Sequence, residues 1–190
     1  MTRQDAEELL YREALALDRR DWDAWLALYA EDAVYWMPAW RDEETPTENP
    51  QRELSLIWYK GRRNLEDRVW RLRSGQSVAS TPLPRTVHAV TNVLVEEADV
   101  AEARVAASFT VHRYDVRSDR THVFFGRYDY RLVQADGAWR IAAKTILLLT
   151  SLDLLALHKT RTALEMLRQL YPPEKIQPVL NRANSDVGKR

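Results

Sequence analysis

The chain has 190 residues, 45% of them hydrophobic and 29% charged, and its 28 basic side chains are balanced by 28 acidic ones. That length fits one domain able to bury about 70% of its unfolded surface, and zero net charge gives no electrostatic reason to bind nucleic acid or an anionic membrane. The absence of cysteine excludes disulfides, thiolate metal sites, a cysteine nucleophile and an iron–sulfur cluster held by this chain. The first residues, MTRQDAEELL, lack the apolar core of a signal peptide, and the longest apolar run, Ile146–Leu149, is far too short to span a membrane. The expectation is a cytoplasmic-type protein with no membrane partner.

Residues 4–19 read as a helix. Ala6, Leu9, Leu10, Ala14 and Leu17 form a stripe, and Asp5, Glu7 and Glu8 suit its positive N-terminal end. The stretch 21–40, DWDAWLALYAEDAVYWMPAW, holds four of the seven tryptophans. Trp22, Trp25, Leu26 and Tyr29 keep a helical period; from Val34 the pattern alternates until Pro38 stops it, so a helix turns at Glu31–Asp32 and feeds a strand. Large aromatics bury roughly 150–250 Å² each, so this unit is expected to seed the core. Residues 39–53 are polar and hold two prolines, the pattern of an exposed loop. Leu54–Tyr59 reads as a short strand or buried turn, and residues 61–73 as a helix with Leu65, Val69 and Leu72 on one face.

From Pro84 four alternating segments follow, at about 85–97, 101–116, 121–134 and 138–150, separated by turns near Asp99, Ser118–Asp119 and Asp136–Gly137. They predict an antiparallel meander. With helices in front of it, the class is α+β: a strongly bent sheet wrapped around an N-terminal helical layer. Residues 152–171 return to a helical period through Leu152, Leu155, Ala163, Met166, Leu167 and Leu170, and stop at Pro172–Pro173. The expected organisation is one domain over 1–150, with a helical extension and polar tail over 151–190.

Few constellations carry chemistry. The histidines, His88, His112, His122 and His158, include no H-x-x-x-H pair, and the bland reading is that they are ordinary polar residues. A pocket between helices and sheet could gather Asp32, Tyr35, His88, Asn92, His112 and Tyr114, and an Asp32/His88 pair there could run a dehydration or isomerisation without a cofactor. Alternation, however, places His88 and Asn92 beside Val90 and Leu94, as polar members of a mixed face. The five glycines build no phosphate loop, no nucleophile elbow is present, and Glu66 and Asp67 inside the basic helix fit a solvated or interface face better than an RNA-binding one.

The runs LDRRDWDAWLALYAEDAVYWMPAWRDEETPTENPQRELSLIWY, LEDRVWRLRS and PRTVHAVTNV, in that order, resemble the small (β) subunit of Rieske-type aromatic-ring-hydroxylating dioxygenases, of the benzoate, toluate and anthranilate group. The likeness covers about residues 8–150. It implies a nuclear-transport-factor-two-like cone and a structural role in aromatic-compound catabolism. In such enzymes three small subunits associate with one another and with three large subunits. The large subunit carries the Rieske cluster and the mononuclear iron and is served by a reductase. The resemblance brings no catalytic, cofactor-binding or metal-binding residue to this chain. The alternatives are a free-standing cone-fold lyase or isomerase using the Asp32/His88 pocket, or a small-ligand-binding module. Trp36, Pro38 and Trp40, followed by Asp42 and Glu43, have the make-up of an aromatic anchor rimmed by charge and are the expected subunit interface. The segment after Thr150, which the family pattern lacks, is expected to brace contacts between protomers.

Overall fold

The computed structural model describes residues 1–75 and 81–149. The helix expected over 152–171 and the whole 151–190 extension lie outside the described residues.

Helix α1 spans Arg3–Arg19 and opens on a reciprocal cap: Asp5 N–H donates to Thr2 Oγ1 while the Asp5 carboxylate accepts from Thr2 N–H. It ends where Arg20 adopts a left-handed conformation, φ 58°, and closes back on Ala16 and Leu17. Ala6, Leu9, Leu10 and Ala14 bury the expected stripe. Helix α2, Trp22–Ala27, is capped by Asp21. Six strands then follow, β1 Tyr29–Pro38, β2 Ser55–Lys60, β3 Arg85–Ala98, β4 Glu102–Asp115, β5 Arg120–Ala135 and β6 Ala138–Leu148, with helix α3, Arg62–Arg73, between β2 and β3. The sheet order is β2-β1-β6-β5-β4-β3. The meander is β3 to β6, and β1 extends it by lying parallel to β6, so the sheet is mixed.

Two local departures from the sequence expectation have a common cause, a bulge. The first strand begins at Tyr29, not Val34: Leu28 C=O already accepts from Ile141 N–H at 2.8 Å, and Tyr29 pairs with Ile141. The next pair is Val34 with Ala143, so Glu31 and Asp32 are looped out within the strand and do not end a helix. In β3 the register shifts between Thr91 and Leu94, where Asn92 takes φ 53°. Alternation therefore changes phase: Thr86, His88 and Val90 face the helices before the bulge, and Val93 and Val95 do so after it.

The inner face of the sheet is fixed by one polar cluster. Glu13 of α1 and Lys144 of β6 are each 2% exposed. Lys144 Nζ donates to both Glu13 carboxylate oxygens at 2.9 and 2.8 Å, Tyr130 Oη donates at 2.7 Å, and Tyr29 Oη donates to the same group. The ammonium also sits 4.0 Å from the Tyr128 ring centroid. Burial pushes the Glu13 carboxyl up, but the charge of Lys144 and the bonds from Lys144, Tyr29 and Tyr130 outweigh it and hold the group below its ordinary value. Burial, and then the charge of Glu13, push the Tyr29 and Tyr130 phenols up, so both remain donors.

Gly126 sits at a close approach between β5 and its neighbours. A Cβ there would stand 2.0 Å from Leu147 O and 2.9 Å from Phe109 Cε1, in the layer where Phe109 stacks on Tyr128 at 4.1 Å. Gly126→Ala is expected to destabilise at or above the upper end of the ~1–3 kcal/mol typical of overpacking, read from urea midpoints of the full-length chain.

Glu13→Gln should cost about 3–5 kcal/mol, because it leaves the Lys144 charge buried without a counter-charge. Adding Lys144→Met should recover more than half of that loss in the same unfolding measurement. A carboxyl depressed in the folded state contributes its stability above the unfolded value and loses it as pH falls through the folded one. The wild type should therefore shed this contribution in acid below about pH 4, while the double variant should not show that component.

Candidate functional site

Two regions of the described fold gather side chains capable of function: the inner face near His88, and the outer face near Trp36.

On the inner face, His88 pairs with Asp18 of α1 and not with Asp32. Asp18 Oδ1 lies 2.6 Å from His88 Nδ1 and accepts from Thr86 Oγ1 at 2.9 Å, while Oδ2 accepts from His88 N–H at 2.9 Å. Both side chains are about one-sixth exposed. A carboxylate on Nδ1 orients the ring and leaves Nε2 facing away, the geometry of a positioned base. The residues opposite His88 in register are Val111 on β4 and Phe124 on β5, both apolar, and the nearest polar row of the same parity, Thr86–Arg113–His122, lies two residues further along the strands.

The other members of the expected pocket are dispersed. Asp32 is exposed in the β1 bulge. Asn92 is turned outward by its positive φ and reaches Ser108 Oγ at 3.3 Å. His112 and Tyr114 fall on the outer face of β4, and Tyr114 Oη donates to Asp119 at 2.7 Å within its own hairpin. Tyr35 does face inward, against the Trp25 and Tyr29 rings at 6.2 Å each. The Asp32/His88 pocket is thus replaced by an Asp18–His88 contact between α1 and β3. Among the described residues no group of three or more His, Asp or Glu is arranged to hold a metal ion, and no helix is long and apolar enough to cross a membrane.

The outer face offers a different kind of site. Trp58 pairs with Trp36, Trp36 with Thr145, and Thr145 with Asp129, so one straight cross-strand row runs over β2, β1, β6 and β5. Trp36 Nε1 donates to Ser55 Oγ at 2.9 Å, which fixes the indole. Leu56 and Trp58 beside it are each 37% exposed. The loop 39–54 folds over the end of this row and is internally locked. Thr47, 6% exposed, accepts from Ala39 N–H at 3.1 Å and donates to Leu54 C=O at 2.8 Å. Asp42 Oδ1 accepts from Glu44 and Thr45 N–H, and Glu53 bonds Arg41 while accepting from Glu48 and Asn49 N–H. Those two backbone bonds, and then Arg41, bring the Glu53 carboxyl down to about 2.

Of the five expected interface residues, Trp36 and Pro38 line an open groove on this face together with Pro46, Thr47, Glu48, Asp129, Thr145 and Leu147. Trp40 is turned to its own chain, its indole N–H donating to Leu148 C=O at 2.8 Å across the bridge that pairs it with Pro46. Asp42 serves the loop turn, and Glu43 is exposed. Sequence reasoning passed over Glu13, Lys144 and Asp18. A signal for the first two was present: Glu13 stands three residues after Leu10 on the buried stripe, and Lys144 stands two before Ile146 on the inward alternation.

Comparison with known proteins bears on about three quarters of the chain. Residues 12–153 match the family described as ring hydroxylating beta subunit. The small subunit of 2-halobenzoate 1,2-dioxygenase from Burkholderia cepacia is 41% identical over 144 residues, 76% of this chain and 86% of that protein. The solved β subunit of benzoate 1,2-dioxygenase from Burkholderia mallei is 36% identical, with a TM-score of 0.64 over 76% of this chain and 89% of that one. A hexachlorocyclohexane dehydrochlorinase, 14% identical at a TM-score of 0.59 over 78% of this chain and 85% of its own, shares the fold alone. The helices over a bent mixed sheet are the nuclear-transport-factor-two-like cone, and the chain belongs to the ring-hydroxylating dioxygenase β-subunit family.

Proposed function

We propose that this chain is the structural small subunit of an oxygenase that dihydroxylates an aromatic carboxylate of the benzoate or anthranilate type, assembled as three small with three large subunits and reduced by a separate component. The observation that carries the reading is the family match across residues 12–153, with relatives whose substrates are halobenzoate, toluate, benzoate and anthranilate. The donor set of this chain does not fit the redox groups of such an enzyme. It has no cysteine, and its described histidines are separated: His88 on β3 and His122 on β5 have the inward parity two strands apart, and His112 faces outward. We therefore assign the Rieske cluster and mononuclear iron to the large subunit and derive no chemical step from residues here.

The role left to the small subunit is to present a rigid surface. The outer row Trp58–Trp36–Thr145–Asp129 and the locked loop 39–54 suit that role, because a surface that is ordered before contact loses little conformational freedom on association. Trp36, fixed by Ser55 and flanked by exposed Trp58 and Leu56, is our choice of anchor for the large subunit. Trp40 is better placed to hold the loop to β6.

Trp36→Ala should weaken association with the large subunit by more than ~2 kcal/mol, measured by dilution of the co-purified complex, while the melting temperature of the small subunit changes little. Trp40→Ala should lower that melting temperature first. A Trp36→Ala complex as tight as wild type would remove the outer face from the interface. For the inner face, His88→Ala is expected to change turnover of the assembled enzyme less than threefold. A catalytic base would cost ~10²–10⁴, and a loss of that size in fully assembled enzyme would restore the lyase-like reading of the cone.

A further inference from the structure

The groove beside Trp36 has a composition that selects its occupant. Its walls are apolar, formed by Pro38, Pro46, Leu147 and the Trp36 ring. Its polar members include two carboxylates, Asp129 of β5 and Glu48 of the loop. Several acids elsewhere are matched by bases: Glu97 by Arg104 at 3.6 Å, Glu102 by Arg131 at 3.4 Å, and Glu53 of the loop by Arg41. Among the described residues Asp129 is in no ion pair, and Glu48 has only the more distant charge of Arg41, whose guanidinium is held by Glu53. Arg127 and Arg131 flank Asp129 on the same face of β5, but neither lines the groove, and Arg131 is engaged by Glu102.

Resting on the assembly proposed above, we infer that this groove receives a basic side chain, an arginine, from the large subunit. A planar guanidinium can lie along the fixed Trp36 indole face while its N–H groups reach carboxylate oxygens, and its aliphatic stem suits proline and leucine walls. Two like charges lining one contact surface are costly unless a cation joins them, which makes the same pair a selectivity device: a neutral or acidic segment would leave Asp129 desolvated and unmatched, with Glu48 beside it. The loop that carries Glu48 is held by the Thr47 and Glu53 bonds, so the acid is presented without a rearrangement.

The test uses full-length chain and its large subunit, with the dissociation constant of the complex measured against KCl concentration. Glu48→Gln with Asp129→Asn, both at surface positions, should weaken association at least tenfold at low salt and flatten its salt dependence. Single variants should show intermediate losses, and Trp36→Phe should retain more affinity than Trp36→Ala. If the double variant binds with wild-type affinity and salt slope while Trp36→Ala still weakens the complex, the basic occupant is wrong and the interface stands. If neither the double variant nor Trp36→Ala changes binding, the assembly surface itself has been misplaced. A double variant that loses affinity with an unchanged salt slope also overturns the inference, since the loss would then be one of packing and not of charge.

Discussion

The fold turns on a buried ion pair. Glu13 lies on the first helix and Lys144 on the last strand, and the two meet in a space where neither can be hydrated. An isolated charge there would be prohibitive, so the pair forms only when α1 sits on the inner face of β6 in one axial position. Tyr29 and Tyr130 complete the carboxylate's set from β1 and β5, so one side chain reports on four elements at once. Apolar packing alone would accept α1 at several neighbouring registers; a fully satisfied polar cluster accepts one.

The remaining inner surface follows from that placement. With α1 fixed, Asp18 near its C-terminal end reaches β3 and binds Thr86 and His88. Arg20, just past the helix, donates to the Leu83 and Pro84 carbonyls at the entry to β3. These contacts hold the last strand of the sheet to the first helix of the chain. The Asp18–His88 contact is thus explained as a clamp at one end of α1, with the Glu13 cluster as the clamp at its middle.

Most of the architecture was legible because it rests on local rules. The acids of the first turn and the apolar stripe of α1, the alternation from Val105 to Val111 and the Asp136–Gly137 turn each specify their element without knowledge of the rest. What was not legible depends on partners remote in sequence. Alternation through Val87–Val95 cannot reveal that Asn92 changes its phase, so Asn92 was placed beside His88 when it faces the other way. The His88 partner lies 70 residues upstream, and of the several acids that precede β3 nothing local favours Asp18 over Asp32. In sequence Trp40, beyond the strand-ending Pro38, reads as the better interface anchor; only the Leu148 carbonyl and the Ser55 hydroxyl, on different strands, show that Trp40 is tied to β6 and Trp36 to β2.

The bulge at Asn92 has a consequence for the chain before it meets any partner. β3 is a fourteen-residue strand at the end of the sheet, and an edge of that length is a template on which another extended chain can add by backbone hydrogen bonding. Asn92 tilts the amide row out of line, and a second shift between Val95 and Glu97 breaks it again. The stretch beyond carries the exposed acid Glu96, which repels a second copy laid alongside. A small subunit synthesised ahead of its large counterpart therefore carries, in its own edge strand, the protection against amyloid-like stacking that it needs while it is alone.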